Sequence, residues 1–154
     1  HAEAALYVGG LYEQQGNDSA AEQAYRQALA ARPDYTEAQY QLALLYKKQQ
    51  KMSQAVDLLQ ALVARQPEHA EAYYTLGVLQ VGLKKYQTAV QHFEAAIAAR
   101  ADFREAHYSV GVCYEFYLPN LTKALEHYRR FLELGGNDSR VQQLVQHSSG
   151  ASKR

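Results

Sequence analysis

The sequence predicts an all-α fold: an α-solenoid of four stacked helix-turn-helix units closed by a C-terminal capping helix. Three observations carry this. Six columns of matching side chains share one interval of 34 residues. Within each interval the apolar residues follow the 3–4 residue spacing of a helix face. No alternating strand pattern interrupts them.

The columns are explicit. Tyr40, Tyr74 and Tyr108 keep the interval, as do Glu37, Glu71 and Glu105. So do Ala4, Ala38, Ala72 and Ala106; Gly9, Ala43, Gly77 and Gly111; Ala21, Ala55 and Ala89; and Pro33 and Pro67. A fixed period of this length means supersecondary units that each bury an apolar side on the next.

The first unit spans 2–35. Asn17-Asp18-Ser19 separates its two helices with capping residues. Gly9-Gly10 lies inside the first helix, where each glycine costs roughly 0.5–1 kcal/mol relative to alanine. No capping residue precedes Ala2. This helix reads as the cut edge of a longer array, and further repeats are expected upstream.

The second unit, 36–69, is the clearest. Ala38, Leu42, Leu45 and Tyr46 form one helical face, Gln49-Gln50-Lys51 breaks it, and Ser53 is the expected N-cap of the next helix. Ala55, Val56, Leu58, Leu59 and Leu62 form that helix's stripe, which Pro67 stops. The third unit, 70–103, repeats the plan, except that Ala101 stands where the preceding joints carry proline.

The fourth unit, 104–137, holds one extra residue, because Ala124 follows Ala89 by 35 positions. The insertion falls between Cys113 and Asn120, and Asn120 or Thr122 caps the following helix. Gly135-Gly136 ends that helix, and Asn137-Asp138-Ser139 opens a capping helix over 138–147 that carries Val141, Leu144 and Val145. A disordered tail is expected over 148–154.

Bulk composition narrows the function. An apolar fraction of 47% in 154 residues supports a packed core. Sixteen basic residues balance sixteen acidic ones, leaving no electrostatic footprint for nucleic acid or an anionic bilayer. No run approaches the ~20 apolar residues that span a membrane, so no direct insertion is expected. The lone Cys113 excludes an internal disulfide and reads as a packed thiol. His69, His92, His107, His127 and His147 form no i, i+4 pair and no zinc signature, so no metal ligand set is assigned. Gly-rich phosphate loops are missing, and no catalytic residue or cofactor is assigned. The three Asn-x-Ser/Thr triplets at Asn17, Asn120 and Asn137 fall at helix starts, where capping accounts for them. Cytoplasm, periplasm, or the soluble part of a membrane-attached protein are all compatible with this composition.

Over roughly residues 2–135 the chain resembles the tetratricopeptide repeat. Ala72-Tyr73-Tyr74-Thr75-Leu76-Gly77 and Glu94-Ala95-Ala96 look like the family's two helix signatures. Small residues at Gly9, Ala43, Gly77 and Gly111, and at Ala21, Ala55, Ala89 and Ala124, suit a close helix crossing. Tyr12, Tyr46 and Tyr114, with Tyr25, Leu59, Phe93 and Tyr128, are the large partners.

The resemblance implies that the first helices of the units line a concave surface. There a second apolar stripe remains: Tyr40 and Leu44; Tyr74, Val78 and Val81; Tyr108, Val112 and Phe116. Glu37, Glu71 and Glu105 flank it. A helix with two apolar faces must bury both or offer one to a partner. The expected ligand is an apolar, basic peptide or helix of a protein partner, bound by a non-catalytic scaffold within a larger assembly. A homo-oligomerisation module, clasping another copy on the same surface, is the alternative. A targeting or regulatory domain of a larger protein is another. Chaperone-tail adaptors of this family hold a carboxylate with Lys, Arg and Asn; the matching columns here are acidic and aromatic, so that clamp is missing. The asparagine ladder of the sugar-transfer arrays is missing too.

Overall fold

The computed structural model describes residues 1–151. Among these the chain forms α1 (Ala2–Gln14), α2 (Asp18–Ala31), α3 (Thr36–Lys48), α4 (Met52–Arg65), α5 (Ala70–Gly82), α6 (Tyr86–Ala99), α7 (Arg104–Val112), a π-helical turn (Cys113–Tyr117), α8 (Leu121–Glu133) and α9 (Ser139–Ala151). No strand occurs among the described residues. The chain divides into two compact units, one over His1–Pro67 and one from Glu68 onward.

In the first unit α1 packs on α2, α2 on α3 and α3 on α4. Alanines 21, 24 and 28 put small side chains along α2, and all are buried with Tyr25. Gly9 is buried because a Cβ there would lie 2.4 Å from the Tyr25 ring. Its glycine is therefore a packing requirement and not simply a weak point in α1, whereas Gly10 faces open space. Ala38, Leu42, Ala43, Leu45 and Tyr46 of α3, with Ala55, Leu59 and Leu62 of α4, complete this core.

The second unit repeats the crossing twice. A Cβ on Gly77 would meet the Phe93 ring at 2.4 Å, and one on Gly111 would meet Tyr128 at 2.4 Å. Where the first helix carries Ala43 instead, the second carries the smaller Leu59. Side-chain volumes at the crossing thus balance, as close packing demands.

Helix ends follow local chemistry with one correction. The Asn17, Asn120 and Asp138 carboxylate or carboxamide oxygens accept from Ala20, Lys123 and Val141 backbone N–H groups at 3.1, 3.1 and 2.9 Å. His69 Nδ1 does the same for Ala72 at 3.1 Å. Ser53, expected to cap α4, lies inside its first turn, and Lys51 occupies the cap position without a side-chain bond. The reason is the preceding turn. Lys51 N–H donates back to the Tyr46 carbonyl at 2.8 Å, with Gln50 left-handed at φ 61°, so the helix starts two residues too early for Ser53 to cap it. Gly16 (φ 74°) and Lys84 (φ 60°) occupy the same 34-residue column and close the same turn.

The fourth first-helix ends differently. Its extra residue is absorbed as the π-turn, in which Leu118 N–H reaches the Cys113 carbonyl at 2.8 Å. Leu118 has φ −125°, so no left-handed residue is used. Single-residue insertions in helices take this form, frequently at functional positions.

Ala101 does not change its joint. Arg100 leaves α6 at φ −145°, ψ 99°, matching Arg32 after α2 at φ −144°, ψ 94°. Each arginine lies over the aromatic ring three residues on, Arg32 over Tyr35 at 3.7 Å and Arg100 over Phe103 at 4.0 Å. At the Arg100 joint this contact accompanies a turn made without proline.

At the C-terminus Val141 is buried with Ala124, Tyr128 and Phe131, and Leu144 and Val145 pack against them. α9 continues past the expected boundary at 147 to Ala151, with the Ser148 and Ser149 hydroxyls donating to the Val145 carbonyl. Residues 148–151 are therefore helical, not a tail; the rest of that expected segment, 152–154, lies outside the described residues.

Candidate partner-binding face

In the second unit the predicted stripe builds a cavity. Val78 and Val81 on α5 face Tyr108 and Val112 on α7 across a space of about 190 Å³. Phe93 of α6 and Cys113 form part of its lining, and burial raises the Cys113 thiol to about 11, so it stays protonated. The lining is mainly aliphatic and aromatic, with Ser109 as a hydroxyl. Four of the predicted groove residues therefore share one surface.

Tyr74, also expected on this face, does not line the cavity and packs against the core beneath it. It is half-buried, its ring 5.5 Å from Phe93 and 5.0 Å from Phe103, bridging α6 and the joint that follows it. Tyr108 similarly lies 5.1 Å from Phe131 and 6.0 Å from Tyr128, and its hydroxyl donates to Asp138 at 3.3 Å. Both tyrosines serve the fold as well as the face.

Phe116 is placed elsewhere. The π-turn advances the chain five residues per closed ring instead of four, so the residue that follows Val112 into the cavity is Tyr117. Phe116 is 58% exposed, with the Arg140 guanidinium 5.4 Å from its ring.

In the first unit Tyr40 and Leu44 are half-buried on α3. The open pocket there, about 490 Å³, is lined by Leu6, Gly10, Glu13, Gln14, Tyr25, Glu37 and Gln41, and is polar where that of the second unit is apolar. Tyr25 donates its hydroxyl to Glu13 Oε2 at 2.5 Å; burial and the Glu13 carboxylate together hold its pKa well above that of a free phenol. Glu37 accepts from Gln41 Nε2 at 2.6 Å and forms no ion pair among the described residues.

The three flanking glutamates are thus not equivalent. Glu71 is held by Arg100 at 2.5 Å and its pKa is lowered, by its own backbone N–H first and then by that guanidinium. Glu105 lies 3.3 Å from Arg104. Of the three, only Glu37 forms no ion pair among the described residues, and Glu13 across the same pocket forms none either, although Lys48 lies within electrostatic reach of it. By sequence Glu13 and Glu115 read as carboxylates on solvated helix faces, but both are partly buried, and their column is informative. Glu13 pairs with Tyr25 and Glu115 with Tyr128 at 2.5 Å, while the intervening units carry Lys47 and Val81 opposite Leu59 and Phe93.

The histidines yield one further pairing. His107 donates Nε2–H to the Ala101 carbonyl at 3.2 Å, which leaves its bare Nδ1 to accept from His127 Nδ1–H at 3.1 Å. Burial chiefly lowers both pKa values. Among the described residues no group of three or more His, Cys, Asp or Glu could hold a metal, and no helix is long and apolar enough to cross a membrane.

Comparison with known proteins agrees with this architecture. Tetratricopeptide repeat models match residues 2–45, 40–102 and 74–139. No curated protein sequence gives a significant match. Two crystal structures of MamA are similar: one at 25% identity over 95% of this chain and 85% of that one, TM-score 0.82, the other at 25% over 94% and 78%, TM-score 0.85. A structure of MamA residues 41 to the end from Desulfovibrio magneticus RS-1 shares the fold at 23% identity, covering 88% of this chain and 76% of that one, TM-score 0.78. The fold is a tetratricopeptide-like helical solenoid, and the chain belongs to the tetratricopeptide repeat family.

Proposed function

We propose that this chain is a non-catalytic scaffold that holds an apolar, basic segment of a protein partner on the face formed by the first helix of each pair. Family membership supports a protein-interaction role in general. The observation that carries the finer reading is the apolar cavity between Val78, Val81, Tyr108 and Val112, which has room for one aliphatic or aromatic side chain and no titrating group suited to chemistry. On the first unit, taken by itself, Glu13 and Glu37 line a polar pocket that suits a Lys or Arg side chain.

The test is capture of partner by the wild-type chain against Val78→Glu/Val112→Lys, with helicity monitored by circular dichroism. Tyr74 is avoided because it supports Phe93 and Phe103. Loss of capture with retained helicity is expected. Unchanged capture by the variant would overturn the reading.

A second copy as the partner is favoured by one observation. Val8 and Leu11 of α1 are 39% and 38% exposed, although Leu42 and Leu45 in the same columns are buried. Light scattering over a concentration series tests this, and a monomer throughout counts against it.

A further inference from the structure

We propose that the rim of the second unit, where the α5–α6 turn meets the π-turn and the start of α8, is a second docking surface, for an acidic protein segment carrying an aliphatic or aromatic anchor.

Among the described residues the exposed large apolar side chains are Tyr7, Val8 and Leu11 of α1, Leu83 of the α5–α6 turn, Phe116 and Tyr117 of the π-turn, and Leu121 at the start of α8. Of the π-turn pair, Tyr117 belongs to the rim, whereas Phe116 lies against Arg140 of α9. The corresponding turns of the first unit are polar, Gln15-Gly16-Asn17 and Gln49-Gln50-Lys51. The rim is also built. Tyr117 stacks on Tyr86 with centroids 4.0 Å apart and planes 3° from parallel, so the inserted turn is fastened to α6. Without the extra residue, Tyr117 would not sit at this junction.

Charge selects the partner. Lys84, Lys85 and Lys123 form no ion pair among the described residues, whereas Lys48 and Lys51 on the first unit are taken by Asp18 and Glu22. Two clefts lie on either side of Leu118. One of about 350 Å³ has Lys84, Lys85 and Thr88 on its walls; the other, about 320 Å³, has Gln91, Tyr114 and Lys123. Lys123 Nζ stands 5.3 Å over the Tyr114 ring. Gln87 lines both clefts, and its carboxamide suits a peptide backbone, which a bilayer surface does not offer. Glu94 in the second cleft would also oppose an anionic lipid surface. A peptide with carboxylates beside one apolar anchor satisfies the lysines, the carboxamides and the exposed Tyr117 ring together.

The experiment pans a random dodecapeptide library on phage against the full chain and measures the leading synthetic peptide by fluorescence anisotropy. Expected are clones rich in Asp and Glu around Leu, Phe or Trp, with Kd weakened at least tenfold by Lys84→Glu/Lys85→Glu and by Leu121→Ser, and unchanged by Val78→Glu. No enriched clones, or a basic consensus, would overturn the proposal. So would binding that follows Val78→Glu instead of the rim variants, since it would report the cavity of α5 and α7. Capture by phosphatidylcholine vesicles with one quarter phosphatidylserine, lost in Lys84→Glu/Lys85→Glu and unmatched by any peptide, would assign the rim to lipid and also overturn it.

Discussion

The Tyr128 ring occupies the space that a side chain on Gly111 would need, its Cε1 lying 2.4 Å from an ideal Cβ there. Tyr25 stands in the same relation to Gly9 and Phe93 to Gly77. The ring edge, not a flexible tip, makes each contact. Gly111→Ala and Gly77→Ala are therefore expected to overpack the crossing and lower stability by about 1–3 kcal/mol. Gly10, with nothing within 4 Å, should behave oppositely. Gly10→Ala is expected to stabilise by roughly 0.5–1 kcal/mol, because alanine loses less backbone freedom in a helix. Urea denaturation of the three variants checks the opposite signs.

Left-handed Gln50 gives a second prediction. Its φ of 61° places Cβ against its own backbone, a strain that Gly16 avoids in the same column. Gln50→Gly should raise stability by about 0.5 kcal/mol, the strain relieved exceeding the added chain entropy. Gly16→Ala should lower it by about 1 kcal/mol. A lower urea midpoint for Gln50→Gly would contradict this.

The two buried tyrosine hydroxyls should differ in worth. Tyr25 donates to Glu13, which forms no ion pair among the described residues and has Lys48 only as a more distant charge, so Tyr25→Phe leaves a half-buried carboxylate without its donor. A loss of about 1.5–3 kcal/mol is expected. Glu115 keeps the Arg140 guanidinium at 2.7 and 2.8 Å when Tyr128 loses its hydroxyl. Tyr128→Phe should therefore cost less, about 1 kcal/mol. Equal losses in thermal unfolding would refute the ranking.

Acid should weaken the second unit through its histidines. His92, His107 and His127 all have lowered pKa values in the folded chain, burial being the first cause in each, with Arg130 and His107 adding like charge. The unfolded chain binds these protons near pH 6.5 and the folded chain only at lower pH. Stability is thus complete above about 6.5 and falls as pH drops below it. Glu22 and Glu71, whose pKa values are lowered, contribute their loss only below the ordinary carboxylate range, near 4.5. Urea midpoints between pH 7.5 and 5.5 should decline, and His127→Gln should flatten the decline.

Much of the fold could be read before any coordinate. The Gly9, Gly77 and Gly111 column and its large partners state the helix crossing outright, because only a small residue admits a ring at that distance. Asn17 and Asn120 cap as expected, since an N-cap bond spans three residues and is a local property. The apolar stripe from Val78 to Val112 was equally legible, its members sharing one helical period.

The rest required tertiary structure. An insertion between Cys113 and Asn120 can lengthen a loop or widen a helix, and nothing local distinguishes them; packing chose the π-turn and put Tyr117, not Phe116, at the cavity. Ser53 lost its capping role to a backbone turn set by Tyr46 and Gln50. His107 meets His127 across a separation of 20 residues that no column of the repeat links, whereas the Arg100–Glu71 pair recurs as Arg32–Glu3 two repeats earlier, at the same separation of 29. The sequence by itself determined the repeat, the all-α class and the volumes at each crossing, because those follow from spacing and side-chain size. Which charges remain uncompensated, and which apolar residues stay uncovered, was decided only when the helices packed.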